Sequence, residues 1–131
     1  MTEAINFFQS LKIFGLFSNP KINISERKLS RDLIKDAKNS FERAEIEAKN
    51  GDEAKSLLLA TDDRDLKKNL AKIAVWHYET AAKHFRYTAA RYSEASRIRP
   101  DQEKLLSRHS EKINRLAQVI EKTIESLRSF E

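Results

Sequence analysis

With 131 residues, 40% of them hydrophobic, the chain has the length of a single domain and can bury a core without disulfides or a structural metal. The absence of cysteine excludes disulfide bridges, thiolate metal sites and cysteine nucleophiles, and two glycines and two prolines are too few for the turns of a sheet protein of this size. The net charge of +5 is a mild bias towards anionic partners, of a size that solubility alone accounts for.

The opening residues Met1-Thr2-Glu3-Ala4 lack the basic start of a secretory signal. No stretch reaches the roughly eighteen uncharged apolar residues of a membrane span, so a cytoplasmic protein is expected. Residues 1–20 read as a distinct apolar segment ended by Asn19-Pro20, because proline disfavours a helical residue before it. A short helix is expected from about Ile5 to Gly15, packed alongside a bundle formed by residues 21–131.

Asn23-Ile24-Ser25-Glu26 carries a capping pattern for the first long helix, and Asn50-Gly51 is a C-terminal stop. Leu33, Ala37, Phe41, Ala44 and Ala48 recur in steps of four and three and so share one face. Residues 52–60 are open between a short helix over the bundle end and a continuation after a kink. Thr61-Asp62-Asp63 supplies caps and negative charge for a second long helix from about Asp63 to Ile98. Its stripe is Ala71, Ala74, Tyr78, Ala81, Phe85, Ala89, Tyr92 and Ala95, with alanines allowing close approach and aromatics filling the gaps. Arg99-Pro100-Asp101 ends it. A third helix follows to about Ser129, with its seam at Leu106, His109, Ile113, Leu116, Ile120, Thr123 and Leu127. The pairs Asp63–Lys67, Glu79–Lys83 and Glu111–Arg115 place acid four residues before base, the favoured order. Short connections make successive helices antiparallel neighbours. The expected fold is all-α, an antiparallel bundle of three long helices with a short N-terminal helix packed alongside.

Chemistry is sparse in this chain. His77 and His84 lie two helical turns apart, His109 is expected near Arg91, and no Glu-x-x-His or His-Glu-x-x-His pattern occurs, so no metal is expected. No nucleophile motif or glycine-rich phosphate loop occurs, and no catalytic residue, cofactor or small-molecule substrate is expected. An all-helical enzyme, with residues converging from several helices, is the third reading.

Two surfaces stand out. Lys83, Arg86, Arg91, Arg97 and Arg99, followed by Lys104, Arg108, Lys112 and Arg115, make the turn around Pro100 positive. Arg86, Arg97, Arg99, Lys104 and Arg108 are therefore candidates for binding nucleic acid or an anionic membrane. The bland alternative is that Arg97 and Arg99 merely complement a helix C-terminus. The second surface is the back of the second helix, where Ile73, Trp76, Thr80, Lys83 and Tyr87 run opposite the Phe85 stripe, on a side that is normally polar. Either the N-terminal segment covers this face, burying Phe7, Phe8, Phe14 and Phe17 with it, or the face is a homo-oligomer contact or partner groove anchored by Trp and Tyr. The N-terminal segment, with Lys12 and the nearby Lys21, Arg27 and Lys28, also has the composition of a membrane-surface element.

The stretch Tyr92-Ser93-Glu94-Ala95-Ser96-Arg97-Ile98-Arg99-Pro100-Asp101 resembles the end of a tetratricopeptide helix, with its aromatic, alanine and closing proline. The layout over residues 30–127 is similar to the microtubule-interacting-and-transport domain, a three-helix bundle with an alanine-rich second helix. The chain departs from both in having longer helices and no glycine dividing the second one, and no binding residue carries over. The resemblance implies a module that docks helical peptides between helices. The expected function is thus a non-enzymatic protein–protein interaction or scaffold module that acts through self-association or partner docking.

Overall fold

The computed structural model describes residues 24–131. Helix α1 spans Ile24–Ala60, α2 spans Arg64–Ile98, and α3 spans Glu103–Arg128 after a 3-10 turn at Pro100–Gln102. The expected N-terminal helix lies outside the described residues. Asp63 caps α2, its carboxylate accepting from the amides of Asp65 (3.0 Å) and Leu66 (3.2 Å). Pro100 sets the start of the turn that reverses the chain into α3.

The helices are antiparallel in sequence order. Ser40 donates to the carbonyl of His84 (3.0 Å) and Phe41 meets Phe85 edge-on at 5.5 Å, tying α1 to α2. Ser110 donates to the carbonyl of Ala89 (2.8 Å), tying α3 to α2. Buried positions follow a seven-residue repeat, which keeps a seam facing its partners in a left-handed supercoil. On α1 the seam holds Leu33, Ala37, Ser40, Ala44, Glu47, Gly51, Ala54 and Leu58, and on α2 every expected stripe residue from Ala71 to Ala95 is buried. Its alanines let α2 pack closely along both neighbours, while the α1 and α3 backbones stay further apart and meet through larger side chains.

Helix α1 does not stop at Asn50-Gly51. A Cβ at Gly51 would lie 2.7 Å from the Tyr78 ring, so this glycine serves the close approach of α2, and its backbone is not in the left-handed region. Asp52 accepts the Tyr78 hydroxyl at 2.5 Å on the next residue. Residues 52–60 accordingly continue α1, with Leu58 wholly buried.

Three further expectations are corrected. Glu79 pairs with Arg128 of α3 (2.7 Å), not with Lys83 one turn on. Asp63 caps α2 as expected but makes no ion pair with Lys67 within 4.0 Å. His109 packs its ring edge-on against Tyr92 (4.5 Å), one residue from the expected Arg91, because Ser110 sets the register on Ala89.

The Ser110–Ala89 contact sets a register that carries α3 back to about the level of Ala71, where Ile124 and Leu127 pack with Ala54, Leu58, Ala71, Ala74 and Tyr78. Arg128 reaches back along α2 to Glu79. No described helix is long and apolar enough to cross a membrane.

Candidate functional site

The side of the α1–α2 pair away from α3 is a long shallow groove. Its register is set by three contacts: Tyr87 donates to Asp36 (2.5 Å), His77 Nδ1 meets Glu47 (2.7 Å), and Ser40 meets the His84 carbonyl. Asp36, Arg43, Asn50 and Leu57 repeat every seven residues on α1, as do Leu66, Ile73, Thr80 and Tyr87 on α2. Since Asp36 stands opposite Tyr87, the antiparallel repeat places Arg43 across from Thr80, Asn50 across from Ile73, and Leu57 across from Leu66. Ile46 on α1 and Trp76 on α2 stand on opposite lips at one height.

This ladder divides the groove into two halves. Near the α2–α3 turn it is polar, with a hollow of about 550 Å³ lined by Asp36, Asn39, Ser40, Arg43, Lys83, His84 and Tyr87. Arg91 lies over the Tyr87 ring (4.8 Å to its centroid). The hydrogen bond to Asp36 pushes the Tyr87 phenol above its ordinary value, which keeps it a donor at any physiological pH. Towards the α1–α2 connection the exposed large side chains are apolar: Ile46 and Leu57 on α1, and Leu66, Ile73 and Trp76 on α2, Trp76 by 60%. Ile73 and Trp76 lie one turn apart on the same side of α2.

All five candidates of the Trp76 face lie on this side. Ile73 and Trp76 belong to the apolar half, Lys83 and Tyr87 line the polar half, and Thr80, which bonds back to the Trp76 carbonyl (2.9 Å), stands between them. Sequence reasoning missed the α1 half of the groove, namely Ile46, Asn50 and Leu57. The available signal was that Ile46 and Leu57 are apolar off the Ala37–Ala44–Gly51 seam. Cover by the N-terminal segment concerns residues outside those described.

The cationic candidates are not brought together. Arg99 is 2% exposed and bonds Asp101 in bidentate fashion (3.2 and 3.1 Å), so it is withdrawn from the surface. Arg86 lies three turns from Arg97 on the α3 side, bound to Glu121 and Asn114. Arg97, Lys104 and Arg108 are exposed. The structure instead aligns Arg108, Arg115 and Lys122 every seven residues along the outer face of α3, with Lys104 and Lys112 beside them. Among the described residues none of these five cations has an acid within 4.0 Å.

His77 is held by Glu47, a seam carboxylate that also lies 3.9 Å from Arg43, and His109 is buried against Tyr92. No group of three or more potential ligands converges on a metal position among the described residues. No protein-family model, curated protein or solved structure matches the chain.

Proposed function

We propose that the chain is a non-enzymatic interaction module that docks a helix in the outer α1–α2 groove. The observation that carries this reading is the exposure of Trp76 beside Ile73 and opposite Ile46. A tryptophan and branched aliphatics in open water forgo burial free energy that a partner supplies, on the order of 25 cal/mol per Å². Such residues at the centre of a groove are the usual anchors of a helix-in-groove contact. The polar half, with Asp36, Arg43, Lys83 and Tyr87, supplies directional contacts beside them. The likeness to tetratricopeptide and microtubule-interacting-and-transport modules points the same way.

Trp76→Ala and Ile73→Glu test the reading. Ile73 is 48% and Trp76 60% exposed, so stability is expected to change by no more than about 1 kcal/mol with helicity intact by circular dichroism. Each protein captured by the native chain is then titrated in purified form while the emission of Trp76, the only tryptophan, is followed. A blue shift on binding, with at least tenfold weaker binding to Ile73→Glu, is the expected result. Unfolding of Trp76→Ala, or binding indifferent to both substitutions, would sink the idea.

A second reading rests on the unpaired cations of α3. Arg108, Arg115 and Lys122, with Lys104 and Lys112, make a net-positive row, diluted by Glu111 and Glu125 beside it, that could meet a polyphosphate surface, either nucleic acid or anionic membrane. Arg97 lies on the α2 lip, apart from this row. Replacing Arg108, Arg115 and Lys122 together with Gln should abolish such binding.

A further inference from the structure

We propose that the occupant of the outer α1–α2 groove is a second copy of this chain, related to the first by a two-fold axis parallel to the helices. This rests on the docking reading above and adds the identity and orientation of the partner.

The first observation is the matching of heights. The exposed apolar residues of α1 and α2 are level in pairs, Ile46 with Trp76 and Leu57 with Leu66. A two-fold parallel to the helices lays α1 of one copy over α2 of the other without changing height. Ile46 then meets Trp76 of the second copy, and Leu57 meets Leu66. An isologous contact needs this kind of self-complementary patch.

The second observation is charge. The α1 lip, at Asp32, Asn39, Ile46 and Glu53, carries acids and no base. The α2 lip, at Asn69, Trp76, Lys83, Ala90 and Arg97, carries bases and no acid. The same rotation sets the acidic lip along the basic lip, with Asp32 level with Ala90, Asn39 with Lys83 and Glu53 with Asn69, so that no like charges meet. A two-fold perpendicular to the helices through the apolar half would instead set each lip against itself, Glu53 near Glu53.

The third observation is area. Two helices of about 50 Å side by side present roughly 1,000 Å² per copy, above the ~800 Å² per partner of a standard stable interface. Helix α3 lies on the opposite side and leaves this approach open. Four helices, α1 and α2 from each copy, would then enclose Trp76 in an apolar centre whose polar ends are the Asp36–Tyr87 regions.

The test uses the full chain, whose lack of cysteine permits clean cross-linking. Sedimentation velocity of the native chain at tens of micromolar should give twice the 15.2 kDa chain mass. Trp76 emission should move to the red on dilution, and Ile73→Glu should abolish the dimer. A mixture of Ile46→Cys and Trp76→Cys chains should cross-link through a short bismaleimide several-fold more than either chain alone. A monomer with water-exposed Trp76 emission would remove the second copy while leaving the docking reading standing. A monomer whose Trp76 emission is blue at every dilution would mean that the lip is covered from within the chain, and both readings would fall. A dimer that cross-links best through Ile46→Cys alone would overturn the axis, and one untouched by Ile73→Glu would place the contact elsewhere.

Discussion

His109 occupies a seam position of α3 with its ring against Tyr92, and burial, followed by the nearby charge of Lys112, pushes its imidazole down to about 4. The ordinary histidine value is about 6.5, so the unfolded chain takes up a proton at a pH where the folded chain still refuses it. The unfolded state binds more protons between pH 6.5 and 4, so stability is complete above that window and falls as pH drops through it, by up to about 3 kcal/mol. Chemical unfolding followed from pH 7 to pH 4.5 should show this loss, and His109→Leu should flatten the slope. An unchanged slope in the variant would mean that other groups dominate acid unfolding. Burial also pushes the Tyr92 phenol far above its ordinary value, so the ring pair stays neutral at physiological pH. Glu47 is the other polar seam residue, and it is tolerated because His77 and Arg43 meet its carboxylate from two directions.

At the scale of the helix, the decisive residue is Gly51. Glycine lowers helix propensity by about 1 kcal/mol relative to alanine, so on propensity alone Gly51→Ala should stabilise α1. The added methyl would stand 2.7 Å from a Tyr78 ring that is itself buried and bonded to Asp52. Overpacking of this kind costs about 1–3 kcal/mol and outweighs the propensity gain. Gly51→Ala is therefore expected to destabilise the protein by up to about 2 kcal/mol net in urea titration, and a stabilised variant would mean that α2 can slide away from α1 at this level. The same close approach explains why α1 continues through a sequence that reads as a stop. Asn and Gly end helices where a left-handed residue is adopted, and here tertiary contact holds the backbone helical instead.

Across the whole molecule, the unequal helix lengths matter most. Helix α3 covers one side of the α1–α2 pair back to about the level of Ala71, so the opposite groove is set by two helices alone among the described residues. The basic row lies on the far side, facing outward from α3, and the two candidate surfaces are therefore independent. Binding of a polyphosphate to that row would involve three to five contacts, which corresponds to a slope of about −3 to −4 in log affinity against log salt. Titration of duplex DNA and of anionic vesicles between low and physiological salt checks this. A slope near zero, or one unaffected by replacing Arg108, Arg115 and Lys122 with Gln, would remove the second reading. Removing Arg99, by contrast, should cost stability, because its partner Asp101 loses a bidentate contact.

The seams of α1 and α2 were legible in the residues alone, from Leu33 to Ala48 and from Ala71 to Ala95, and Asp63 stood where a cap was needed. On α3 the expected seam is corrected, because Ala117 and Ile124 are buried where Leu116 and Thr123 were expected. Local periodicity and cap chemistry are written in neighbouring residues, and burial follows from them once the helices are long. The prominence of Trp76 was legible for the same reason, as an apolar residue off the seam. What faces it from α1 depended on register. The Asp36–Tyr87, Glu47–His77 and Ser40–His84 contacts set Ile46 level with Trp76 and Leu57 level with Leu66, and a slip of one helical turn would pair different residues. The fate of the cations was likewise a tertiary matter. Arg97 and Arg99 are two residues apart in sequence, yet one is exposed and the other buried, because the chain leaves α2 at Arg99 and the turn at Pro100–Gln102 brings Asp101 to its guanidinium.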